Sequence, residues 1–155
     1  MEENFDKNSS APYQISNENL KDILKNHSLW LSSGEAEGKP ANLAGCNLRG
    51  VVLLGANLKK ANLKGAYLYG AYLKNSNLEQ ADLSDVNLRG ANLRWVNLRG
   101  ANLSGSNLVR ADLYESNLKE TNLIGTNLHM SDGLTRKQID EAKTNETTKL
   151  PDSLK

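Results

Sequence analysis

The sequence predicts an all-β solenoid, and three observations lead to it. From Leu43 to Leu128 every fifth residue is leucine, eighteen in succession. Two places before each leucine stands a small residue, nine times Ala, and one place before it stands Asn or Asp in fifteen units, with Val52, Tyr67 and Tyr72 as the departures. No proline interrupts this array, since Pro12, Pro40 and Pro151 all lie outside it.

A period of five suits neither regular element. Leucines five apart on an α-helix step round the axis by about 140° and form no stripe. On a straight strand an odd period sends successive leucines to opposite faces. The chain must therefore turn once per unit, so that each five-residue side offers its leucine to a shared interior. Gly follows two places after nine of the eighteen leucines, where a corner needs unusual dihedrals. The missing prolines fit a backbone whose N–H groups all serve a ladder between stacked coils.

The elements follow in order. Residues 1–14 are polar and are expected to be a disordered tail. Residues 15–40 hold a capping helix and a loop. Leu20, Ile23, Leu24, His27 and Leu31 keep one helical face, Leu29 and Trp30 widen it, Ser16 or Asn17 starts the helix and Gly34 stops it. Residues 41–130 are the repeats. In residues 131–155 the register fails: Gly133 takes the slot due to leucine and Leu134 comes one place late. Thr135 and Gln138 form a capping box for a short helix through about Lys143, with Ile139 and Ala142 facing inward. The remaining tail carries little core material beyond Leu150 and Leu154. Both helices read as lids over strand edges that would otherwise aggregate.

The units "ANLKKANLKGAYL" and "ADLSDVNLRGANL" resemble those of the pentapeptide repeat family, and the match spans the whole array. The resemblance implies a right-handed quadrilateral parallel β-helix with four units per coil, hence about 4.5 coils, and roughly 22 Å of height at ~4.8 Å per strand. It implies that leucine and the small residue point inward, which makes Cys46 a buried small residue. Short chains with a leading helix and a finish like "LTRKQIDEAK" are similar to members abundant in cyanobacteria.

Composition narrows the function. Formal net charge is +1, and the lone Cys46 admits no internal disulfide. "MEENFDKNSSAPYQ" lacks a basic leader followed by an apolar stretch, and no apolar run approaches the ~18–20 residues of a membrane span. A cytoplasmic monomer is expected. Two histidines and one cysteine make no metal set and no nucleophile with a base, and no phosphate or dinucleotide motif is present. No enzyme, cofactor or small-molecule substrate is expected.

Surface rows remain. With four units per coil, Leu54, Lys74, Arg94 and Tyr114 stack beside Val52, Tyr72, Asn92 and Asp112. Tyr67, Tyr69, Tyr72, Arg94, Trp95 and Tyr114 then form a candidate patch for a protein partner. Some members of the family resemble B-form DNA in charge and bind a type II topoisomerase. The repeats here hold ten basic and six acidic residues, about +4, with no acid from Ala41 to Leu78, which disfavours that role. A nucleic-acid surface is also disfavoured, because the basic residues scatter over several walls. The sequence thus points to a rigid scaffold or protein-interaction module.

Overall fold

A computed structural model describes residues 12–155 of the chain. Isolated parallel bridges tie each unit to the unit twenty residues on, giving four walls. The first wall stacks Asn42, Asn62, Asp82, Asn102 and Asn122; the second Asn47, Tyr67, Asn87, Asn107 and Asn127. The third stacks Val52, Tyr72, Asn92, Asp112 and Asp132, and the fourth Asn57, Asn77, Asn97 and Asn117.

One unit shows how the coil closes. Leu63 N–H donates to the Asp82 carbonyl at 2.7 Å, and Asp82 N–H returns a bond to Ala61 O at 2.9 Å. At the corner, Gly65 N–H donates to Ser84 O, while Ala66 N–H closes a turn onto Leu63 O. The third residue of such a turn needs positive φ. All eighteen corner residues, from Gly45 to Met130, have it, and nine of them are not glycine. This is why the array tolerates neither proline nor a change of spacing.

The interior is filled as the period demands. Each of the eighteen leucines is 5% exposed or less. Burial of each contributes about 1.5–3 kcal/mol. The small residues are closed off with them except Val51 and Ala56, which are partly buried in the first coil; Cys46 is buried, which pushes its thiol pKa up. Where the small residue is threonine it bonds across the stack, Thr121 Oγ1 donating to Leu98 O and Thr126 Oγ1 to Leu103 O, both at 2.7 Å, whereas the buried Ser76 and Ser106 hydroxyls have no partner among the described residues.

At the N-terminal end, α1 runs Asn17–Ser32, and Ser16 Oγ accepts the Asn19 N–H as its cap. Leu20 and His27 are buried, and Ile23 and Leu24 pack against the core cluster. Leu29 stays exposed. Glu35, beyond Gly34, bonds back to Trp30 O and pairs with Lys60. Gly38 lets the return loop cross the helix, because a Cβ there would meet Asn26 O at 2.3 Å.

Three expectations change at the ends. Of the tail 1–14, residues 1–11 lie outside the described residues, but Tyr13–Gln14 forms strand β1. It pairs in parallel with β2, Cys46–Asn47, because the first coil offers an open edge there. At the other end, α2 is only Arg136–Asp140, with the Thr135–Gln138 capping box in place and Ile139 buried. It does not reach Lys143, whose backbone instead joins the ladder opposite Asn122. Lys149 pairs likewise with Asn127, and Leu150 and Leu154 pack on the core, so the last residues extend the stack and end in a 3₁₀ turn, Asp152–Leu154. The second wall thus has seven levels, from Gln14 to Lys149, rather than the 4.5 coils of the repeats alone.

Candidate partner-binding surface

Every repeat with Asn or Asp before its leucine uses that side chain the same way. Its oxygen accepts the backbone N–H two residues on, as Asn97 Oδ1 does from Arg99 N–H at 3.2 Å. All fifteen such residues make this bond. Many also stack, Asn117 Nδ2 donating to Asn97 Oδ1 and Asn97 Nδ2 to Asn77 Oδ1.

Val52, Tyr67 and Tyr72 cannot make the bond, and they sit together. Val52 and Tyr72 are neighbours on the third wall, and Tyr67 belongs to the unit immediately before Tyr72. The N–H groups of Leu54 and Lys74, at the corner after the third wall, and of Tyr69, at the corner after the second, lose their turn acceptor. Of the side chains that replaced the amides, Val52 and Tyr72 face outward at 64% and 51% exposed, beside Leu54 at 58%, while Tyr67 is half-buried.

Further along the third wall the charges and rings interlock. Arg94 Nη1 bonds Asp112 Oδ2 at 3.1 Å, which lays the guanidinium 4.5 Å from the Tyr114 ring centre and 5.0 Å from that of Trp95. Lys74 Nζ lies 4.7 Å over the Trp95 ring, and Trp95 meets Tyr114 edge to face at 6.1 Å. Trp95 Nε1 donates to Glu115 Oε2 at 2.7 Å. Exposed cation–π contacts contribute about 0.5–1 kcal/mol each. Together they hold these rings in one arrangement.

Of the six candidate residues, Tyr72, Arg94, Trp95 and Tyr114 share the third wall and its far corner. Tyr67 and Tyr69 lie on the second wall, Tyr67 half-buried and Tyr69 exposed with Arg49 5.4 Å over its ring. The six are therefore two adjoining groups. The sequence reading omitted Val52, Leu54, Arg49 and Lys74 from the patch. Of these, the lapse of the Asn rule marks Val52 in the sequence.

His27 and Cys46 stand apart from this surface. His27 Nδ1 accepts the Ala41 N–H at 3.0 Å, which requires the neutral ring, and burial lowers its pKa against a partial rise from the Lys59 carbonyl. Among the described residues no three His, Cys, Asp or Glu side chains converge to hold a metal, and no helix is long and apolar enough to cross a membrane.

The family model for pentapeptide repeats matches eight copies over residues 41–75, 66–105 and 91–129, more than half of the chain. The chain belongs to the pentapeptide repeat family. Proteins of this family fold as right-handed quadrilateral β-helices, and they are generally structural or interaction modules. Among solved structures, this pentapeptide repeat protein is 31% identical to Rfr23 of the cyanobacterium Cyanothece 51142, covering 76% of this chain and 69% of that one, with a TM-score of 0.49. A pentapeptide repeat protein from Nostoc Pcc 7120 is 27% identical over 94% of this chain and 93% of its own, with a TM-score of 0.36. One from the Arabidopsis thaliana thylakoid lumen is 30% identical over 63% and 70%, with a TM-score of 0.39. No curated protein matches the chain.

Proposed function

We propose that this pentapeptide repeat protein is a non-enzymatic, cytoplasmic, monomeric rod, capped by α1 and α2, that grips a protein partner across its second and third walls. The lapse of the turn bond at Val52, Tyr67 and Tyr72 carries this reading. Each lapse forgoes about 0.5–1.5 kcal/mol that fifteen other units keep, and each sets an apolar or aromatic group at the surface. Local rules broken together at one place mark a functional surface. Trp95 supports it: an aromatic residue holds a left-handed corner where glycine costs less, at φ 56°. Tyr, Trp and Arg are also the anchors that interfaces favour.

Affinity capture from native extract, comparing the natural chain with a variant carrying Tyr67, Tyr69, Tyr72 and Trp95 all as Ala, tests the proposal. A partner retained equally by both sinks it. Topoisomerase mimicry is the competing reading. The acids of the repeats fall on three walls, with Asp82 on the first, Asp112 on the third and Glu79 on the fourth, two of them paired to Arg94 and Lys59. Inhibition of supercoiling by sub-micromolar protein would favour that alternative instead.

A further inference from the structure

At the N-terminal end the backbone edge of the first coil is paired only on the second wall among the described residues, and α1 lies against the first and fourth. β1 lies under Asn47, His27 bonds Ala41 on the first wall, and Ser28, Leu31 and Ser32 of α1 flank Asn57 on the fourth. On the third wall no described residue pairs with Val52 from below. In later coils the residue in its register bonds downward twice, as Tyr72 N–H does to Val51 O at 2.8 Å and Tyr72 O does from Leu53 N–H at 2.9 Å. The Val52 N–H and carbonyl have no such partner among the described residues.

The interior is thinner here as well. Leu53 and Leu48 are 5% and 3% exposed, the two least covered of the eighteen. Beside them a cleft of about 500 Å³ opens between α1 and the first coil, lined by Ile15, Leu20, Leu24 and Val51, with Lys21 and Arg49 as its charged residues. No acid lines it.

We propose that the Val51–Leu53 edge takes up an extended, acidic segment of a partner protein as an added strand. This deepens, and rests on, the reading of the rod as an interaction module. An unpaired donor and acceptor template a strand, and alternate side chains of that strand enter one face. The cleft fits apolar residues at alternate positions, and Lys21 and Arg49 fit a carboxylate between them. A second copy of this chain is a poor occupant, because it would set Lys21 and Arg49 against their own counterparts.

The test titrates the isotope-labelled full chain with a short synthetic peptide of alternating valine and glutamate. Two companions are a valine–lysine peptide and the valine–glutamate peptide N-methylated on the amides of one edge. The first peptide is expected to shift the amide signals of Val52, Leu53 and Leu24 and to slow exchange at Val52. Both companions are expected to bind at least about tenfold more weakly. Arg49→Glu is expected to weaken the first peptide by about the same factor, and Val52→Pro, which removes an N–H with no internal partner, to abolish its effect. A Val52 amide that the valine–glutamate peptide leaves unmoved overturns the proposal. So does equal binding of the N-methylated peptide, or a shift of these signals with protein concentration alone. If capture through the Tyr72 and Trp95 surface persists while these peptide results fail, only the strand addition is lost.

Discussion

Tyr72→Asn should make the protein more stable while weakening its binding surface. Asn97 supplies the template on the fourth wall: its Oδ1 accepts from Arg99 N–H and Asn117 Nδ2, and its Nδ2 donates to Asn77. An amide at position 72 regains the Lys74 N–H and offers an acceptor to Asn92, which sits directly above it. Two partly exposed hydrogen bonds contribute about 1–2 kcal/mol together. The lost ring is half exposed, and its cross-strand contact with Val52 gives back about 0.2–1 kcal/mol. The net is a gain of about 1 kcal/mol, or a Tm rise of about 2–4 °C for a chain of this size. Urea and thermal melts followed by circular dichroism measure it, with Asn97→Tyr as the reverse control. A lower midpoint for Tyr72→Asn, or no loss for Asn97→Tyr, refutes the argument that the turn bond was given up for surface function.

Four more outcomes follow from the geometry. Leu93→Ala, fully buried between rigid coils, should cost about 3–5 kcal/mol in urea unfolding, and Leu53→Ala at the open edge clearly less. Gly133→Ala should lower the Tm markedly, since its Cβ would lie 2.5 Å from the Tyr114 backbone at a φ of 74°, and an unchanged melt would contradict that crossing. Burial sets the folded pKa of His27 below its ordinary value of 6.5, so the unfolded chain binds the proton more readily. Stability should be full above about 6.5 and fall as pH drops through and below it, a slope that His27→Leu should flatten. Cys46, buried with a raised pKa, should react with a thiol reagent only as fast as the rod opens, so prompt labelling of the folded protein would place it wrongly.

The turning and the interior are legible in the sequence alone, because both are local. A leucine every fifth residue leaves one way to bury all eighteen, and the Asn before it and the left-handed residue after it build each turn from neighbouring atoms. The capping box at Thr135 was legible for the same reason. The polarity of residues 13–14 and the fading repeat after Asp132 gave no such local signal, yet Tyr13, Lys143 and Lys149 all enter the ladder. They do so because an exposed coil edge accepts any backbone that reaches it, whatever its side chains. Which outward residues meet was likewise a tertiary matter. Four corners of fixed bend place Val52 under Tyr72 and Arg94 beside Asp112 and Tyr114, while sending Tyr67 and Tyr69 round to the adjoining wall. Only the route of α1 over the first coil decided that the Val52 edge would be left open, since that depends on where a helix comes to rest and not on a five-residue rule.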